Sequence, residues 1–227
     1  MFLRGTRHEM IVRATRLLRD TIHELSLKQE RVVLAVPGGR NVAEIFLQLR
    51  ELDVPWDKLD IFMLDERLVP IDHSESNFRQ ASEILDAVIE KERLHPFVLE
   101  SDNPVTALEE YNRRFKDCGG TIDIVLASSG EDGHIASLFP SHPSVLDQGE
   151  LFVAVHNSPK PPSERISASA RCIARAQVGV LLFLGEEKRD ALKSYFDQYK
   201  DYQDCPAKII STLPTHYVLT DQETEEI

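Results

Sequence analysis

Cysteine is scarce in these 227 residues: there are three, Cys118, Cys172 and Cys205, odd in number and far apart. No C-x-x-C pair occurs and no histidine stands at ligand spacing from any of them. This excludes a disulfide framework or a zinc knuckle and leaves reduced intracellular thiols. Long apolar runs are absent too. No stretch approaches the roughly eighteen apolar residues of a membrane span, and Met1 to His8 lacks an apolar core of signal-peptide length, so a cytoplasmic chain is expected. Positive charge is in deficit, with 26 Lys and Arg against 38 Asp and Glu and a net charge of −12. That excludes nucleic acid or an anionic membrane as the main partner. The eight histidines are scattered, with no H-x-x-x-H or H-E-x-x-H spacing, so neither a metal nor another cofactor is expected. A G-x-S-x-G elbow is missing, and Ser137 falls in an expected helix, which argues against a serine hydrolase. Internal repeats are missing as well, and the one biased segment, the acidic end Asp221 to Ile227, reads as a frayed terminus.

What is present is enough apolar material, 42%, to bury a sizeable core in one domain spanning residues 1–227. Ile11, Ala14, Leu18, Ile22 and Leu25 recur at helical spacing, predicting an amphipathic helix over about 6–28 laid on a sheet. Arg31 to Val36 reads as the first core strand, followed by a glycine turn and a second helix whose start is placed by a capping box between Asn41 and Glu44. Leu59 to Leu64 is a further strand that opens into an Asp65-Glu66-Arg67 loop, and Ser76-Asn77 begins the next helix. Pro104 to Lys116 is helical with proline in its first turn. Residues 122–127, 151–155, 165–170 and 178–184 are strand-like, and a last helix covers about 186–199. The alternation predicts an α/β fold with a doubly wound, mainly parallel sheet flanked by helices, and with antiparallel pairing at one edge.

The chemistry concentrates after strand 122–127, in Ser128 to Pro140. Asp132 and His134 lie two apart around Gly133, so a turn can aim both at one cleft and let the carboxylate orient the imidazole as a general base. A bare D-G-H tripeptide is also what a surface turn capping the next segment looks like. Gly38-Gly39 at a strand-to-helix turn lets backbone N–H groups approach an anion, and Arg40 adds a charged fork; a plain tight turn is the alternative. Lys160 and Arg165 lie in a loop stiffened by Pro159, Pro161 and Pro162, which favours a pre-set pair of cations. Lys188, at the start of a late helix after Gly185, is a weaker candidate for the same set, with a solvated helix face as its other role.

Four ordered segments resemble one family. They are Asp132-Gly133-His134-Ile135-Ala136-Ser137-Leu138-Phe139-Pro140; Leu64 to Pro70 followed by Ser76-Asn77; Ser158 to Pro162 with Arg165; and Cys205-Pro206-Ala207. Together they are similar to the 6-phosphogluconolactonases and their relatives the glucosamine-6-phosphate isomerases/deaminases. The resemblance implies a small sugar-phosphate lactone as substrate, hydrolysis without a cofactor, His134 as base and Asp132 as its orienting partner. It implies that Arg67 contacts the phosphate while Asp65 or Glu66 faces the sugar; for Glu66 a salt bridge to Arg67 is the equal alternative. The expected binding set is Gly38, Gly39, Arg40, Asp65, Arg67, Asn77, Gly130, Lys160 and Arg165, in a monomer or weak homodimer. Backbone N–H groups around Gly130 to Gly133, or a nearby arginine, would hold the oxyanion. Two departures from the family pattern stand out: Arg40-Asn41 replaces a hydroxyl pair, and Ser128-Ser129-Gly130 replaces G-x-G. Two other functions remain in view. One is deamination and isomerisation of glucosamine 6-phosphate with Asp65 as base, although the acidic residue usual after D-G-H in those relatives is absent. The other is a sensor that binds a sugar phosphate without turnover.

Overall fold

The computed structural model describes residues 1–99 and 103–223; the last four residues of the acidic end, read above as frayed, lie outside that range. Strand β1 (Phe2–Arg4) leads into α1 (Arg7–Ser26), which starts where Thr6 and Glu9 form a reciprocal capping box. Then come β2 (Val32–Val36), α2 (Arg40–Leu49), β3 (Leu59–Met63), β4 (Asp65–Arg67) and α3 (Asn77–Leu85), the last capped by the Ser76 hydroxyl. They are followed by β5 (Leu94–His95), α4 (Pro104–Asp117) with its first-turn proline, and β6 (Ile124–Ser128). The remainder is α5 (Pro143–Leu146), β7 (Phe152–Val155), β8 (Arg165–Ala168), α6 (Ala170–Ala174), β9 (Val178–Phe183), α7 (Arg189–Phe196) and β10 (Thr215–Thr220).

Seven strands form one sheet in the order β1-β10-β9-β6-β2-β3-β5, parallel at every junction. Side chains alternate between its faces, as period-two geometry requires. From β2 and β6, Val33, Ala35, Val125 and Ala127 enter one apolar layer under α4, α6 and α7. Val32, Leu34, Val36, Ile124 and Leu126 enter the other, under α1, α2 and α3. Burial on both faces explains why these strands read as unbroken apolar runs.

Five expectations need correction. The antiparallel strands do not edge the main sheet; they form a separate sheet, β4-β8-β7. The Asp65-Glu66-Arg67 segment is its first strand rather than a loop, because the chain carries on past β3 and pairs with the returning Arg165–Ala168. Helix α2 starts from Gly39 with no side-chain cap, since Arg7 takes both expected capping residues: it donates to Asn41 Oδ1 (2.7 Å) and to both carboxylate oxygens of Glu44 (2.7 and 2.9 Å). A charged fork outcompetes a local cap. Ser137 lies not in a helix but in a tight turn closed by an Ile135–Leu138 bridge, with Ala136 at φ 52°. The last predicted helix is also shorter, a 3-10 turn over Glu186–Lys188 preceding α7.

Candidate active site

From β2 the chain builds outward through β3 and β5 on one side, and through β6, β9 and β10 on the other. The point between β2 and β6 is therefore where connections diverge, and in open α/β sheets a crevice forms there at the carboxyl ends of the strands. Both glycine turns emerge at this point. A cleft of about 350 Å³ opens between them and reaches β4 and the loop before β8.

The turn after β6 fixes the acid–histidine pair. Asp132 Oδ1 accepts from His134 Nδ1 at 2.5 Å and from the His134 backbone N–H at 3.2 Å. Burial works to raise the Asp132 carboxyl, but the hydrogen bond and charge of His134 outweigh it and pull the group down to about 2. Two glycines make the turn possible. A Cβ on Gly130 would fall 2.1 Å from His134 ring atoms, so the imidazole and carboxylate lie directly on its backbone. Gly133 has φ 88°, and its carbonyl accepts from Ala207 N–H at 2.9 Å. Cys205 and Ala207 thereby buttress the turn from beneath. Phe139 covers one side of the ring at a centroid distance of 4.6 Å. Two of the backbone N–H groups expected to hold an oxyanion are committed within the turn: Gly130 N–H donates to His134 O at 2.8 Å and Gly133 N–H to Gly130 O at 3.2 Å. The cleft also draws cations from elsewhere in the chain.

Those cations come from the small sheet and its loop. Arg67 and Arg165 stand directly opposite each other on β4 and β8. Like charges in that position repel, and desolvation, with Arg67 adding its charge, lowers the buried Arg165 guanidinium while Asp65 opposes the shift. Arg165 is anchored by three loop carbonyls, those of Lys160, Pro161 and Pro162, at 2.9–3.1 Å. Arg67 donates Nη1 to the Glu75 carbonyl, but its buried Nε has no partner among the described residues. Lys160 and Lys188 also line the cleft, so Lys188 is not merely a solvated helix residue. The 3-10 turn after Gly185 carries it inward. Arg40 sits on the exposed rim of an adjoining compartment of about 350 Å³ that shares Gly38, Gly39, Ser128 and Lys188.

The carboxylates divide by role. Asp65, buried, accepts from the Ser137 hydroxyl at 2.7 Å and lies 3.9 Å from Arg165. Glu66 neither lines the cleft nor bridges to the Arg67 side chain. Its two oxygens accept from the backbone N–H groups of Arg67, Asn77 and Phe78 and from the Ser76 hydroxyl, which ties β4 to the start of α3. Burial pushes its carboxyl up against the pull of those donors. Asn77 donates to the Asp65 carbonyl at 2.8 Å and lies against Gly38, where a Cβ would meet its Oδ1 at 2.0 Å. Gly39 N–H is likewise engaged, by Gln80 Oε1 at 2.7 Å, so this turn offers an anion fewer free N–H groups than its sequence suggests. Ser128, the last residue of β6, places its side chain at the junction of the two compartments.

One cluster was invisible to spacing. Cys118 does have a histidine nearby, His95, whose Nε2 is 3.8 Å from its sulfur and 2.8 Å from Asp60 Oδ1. The residues come from β3, β5 and the end of α4, so only the fold brings them together. Arg31 lies 2.7 Å from the sulfur and 3.2 Å from Asp60, and Arg93 reaches the other oxygen at 3.1 Å. The charge of Asp60 is thus balanced by arginines, in a network near the strands' amino ends and away from the cleft.

The chain matches, over residues 5–219, the family described as glucosamine-6-phosphate isomerases/6-phosphogluconolactonase. It is 31% identical over 205 residues to a 6-phosphogluconolactonase of Borreliella burgdorferi, covering 88% of this chain and 87% of the relative. It is 30% identical over 226 residues to one of Synechocystis, covering 96% and 93%. Its fold is similar to the crystal structure of a 6-phosphogluconolactonase from Thermotoga maritima, with a TM-score of 0.87 at 21% identity over 98% of this chain and all of that one.

Proposed function

Because the chain belongs to the family of glucosamine-6-phosphate isomerases and 6-phosphogluconolactonases, we propose that it hydrolyses 6-phospho-D-glucono-1,5-lactone to 6-phospho-D-gluconate, the lactone-opening step of the oxidative pentose phosphate pathway. The observation that carries this reading is the Asp132–His134 pair, whose imidazole lines a cleft together with four cations, Arg67, Lys160, Arg165 and Lys188.

With Nδ1 committed to Asp132, the other ring nitrogen of His134 is the one that accepts a proton. A water attacks the lactone carbonyl carbon and passes its proton to that nitrogen as the C–O bond forms, while the carbonyl electrons become an oxyanion facing the cations. Collapse restores the carbonyl and breaks the bond to the ring oxygen, which takes the proton back from His134. No covalent nucleophile is needed. Arg67 and its cross-strand neighbour Arg165 hold the phosphoryl group, supported by Lys160, and Lys188 is left to face the oxyanion. Isomerisation would need Asp65 as a free base, and Asp65 is buried and already holds the Ser137 hydroxyl.

On the same reading the chain acts in the cytoplasm as a monomer or weak homodimer on a small anion, without nucleic acid or membrane. The net charge of −12 opposes both partners, and no described helix is long and apolar enough to cross a membrane. The test is hydrolysis of freshly generated lactone, corrected for spontaneous opening, by wild type, His134→Ala and Arg67→Ala, beside a glucosamine 6-phosphate control assayed for ammonia. Acceleration that is lost in His134→Ala, with KM raised in Arg67→Ala, is the expected result. Ammonia release would move the function to the deaminases, and binding without turnover to a sensor.

A further inference from the structure

Glu131 has no part in the hydrolysis just described, yet it sits on the same turn as the base, between Gly130 and Asp132. Its Oε1 accepts from Lys160 Nζ at 2.9 Å, across 29 residues of sequence. The bridge joins the turn after β6 to the loop before β8, two segments that both line the cleft. The Lys160 backbone is fixed, because Arg165 holds its carbonyl and the next two, and Ser158 N–H donates to Ser163 O at 2.9 Å to close the loop. Only the lysine side chain is left to choose a partner. Lys160 and the charge of Lys188 keep the exposed Glu131 carboxyl below its ordinary range, so it is an anion whenever the cleft must admit one.

We propose that Glu131 is a built-in competitor for Lys160, a positioning residue that gives up the ammonium to the substrate's phosphoryl group and takes it back to expel the product. The proposal rests on the lactonase reading. The exchange is favourable on binding because a phosphoryl group carries more charge and more acceptor atoms than a carboxylate. It also distinguishes product from substrate. Hydrolysis converts a neutral lactone into a carboxylate while the phosphoryl group is unchanged, so the product brings one more negative charge into a cleft where the released Glu131 is itself unpaired. Repulsion between them weakens product binding more than substrate binding.

The test is titration calorimetry of wild type, Glu131→Gln, Lys160→Met and the double variant with 6-phosphogluconate and with inorganic phosphate, together with KM and product inhibition in the lactone assay. An exposed ion pair is worth little, so Glu131→Gln should tighten 6-phosphogluconate roughly two- to fivefold, lower KM by a smaller factor, and show no such gain in the Lys160→Met background. Unchanged or weaker product binding in Glu131→Gln overturns the proposal. So does an equal gain with Lys160→Met present, which would assign the effect to the general field of the acidic chain. If wild type neither hydrolyses the lactone nor binds its product, the lactonase reading fails; inorganic phosphate still reports on the Lys160 exchange and decides it separately.

Discussion

Replacing Glu66 by Gln removes one acceptor from a site that uses both oxygens. Oε1 accepts from the N–H groups of Arg67 (2.8 Å) and Asn77 (2.9 Å), and Oε2 from Phe78 N–H (2.8 Å) and the Ser76 hydroxyl (3.1 Å). A carboxamide has a single oxygen, so its NH2 group must face one of these donor pairs. The Ser76 hydroxyl can rotate and accept, but a backbone N–H cannot. At best one buried N–H is orphaned, at a cost of about 1–3 kcal/mol. Relief from burying a charge, visible in the upward push on the Glu66 carboxyl, offsets part of this and holds the net loss within that range. For a domain of this size each kcal/mol shifts Tm by about 2–4 °C, so thermal denaturation at neutral pH should show a drop of roughly 2–12 °C. The same carboxylate holds the backbone N–H groups of the cleft-lining Arg67 and of Asn77, so on the proposed function KM should rise as well. A Tm at or above wild type would refute the argument, since it would mean that the four donors contribute less than the desolvation of the charge.

His134→Ala should lower kcat about a hundred- to ten-thousandfold while substrate affinity is largely kept. The Asp132 carboxyl is depressed to about 2, so its ionised form is present above about pH 4 and is lost only as pH falls through about 2; an Asp132 carboxyl seen by NMR to titrate near 4 would contradict this. Gly130→Ala puts a Cβ 2.1 Å from the imidazole and 2.7 Å from Asp132 Oδ1. Displacing the base by about an ångström should cost on the order of a hundredfold in kcat with the circular dichroism spectrum preserved, and wild-type activity in this variant would remove Gly130 from the site.

Much of the parallel sheet was legible because strands buried on both faces leave continuous apolar runs, and D-G-H was legible because it follows one of them. Features built by distant residues were not. The α2 cap was misread because Arg7, 34 residues from Asn41, claims it. The small sheet was misplaced because its first strand, Asp65–Arg67, is charged and carries no apolar alternation. Glu66 was ambiguous because its donors lie up to twelve positions on, at the start of α3. The one available signal was that a helix beginning at Ser76-Asn77 leaves N–H groups in need of an acceptor. Gly130 was expected in the binding set, and only the fold shows that its missing Cβ makes room for His134.

An acidic chain that binds an anion must concentrate its positive charge and must also keep it from being neutralised by its own carboxylates. The cleft meets the second condition unevenly. Arg165 is tethered through backbone carbonyls, which orient it without cancelling its charge, and Asp65 approaches it no closer than 3.9 Å while accepting from Ser137 instead. Arg67 is tethered in the same way by the Glu75 carbonyl, and the neighbouring Glu66 is occupied with backbone donors. Carbonyl tethers and diverted carboxylates thus preserve two charges side by side on β4 and β8. Lys160 differs, for its ammonium is held by a carboxylate, Glu131. Of the four cations of the cleft, Arg67 and Arg165 are thus permanently available, Lys188 lies 3.6 Å from Glu187 on its own turn, and Lys160 is the one held by a carboxylate from another segment, so the charge on Glu131, rather than that on Lys160 alone, should govern how readily product leaves.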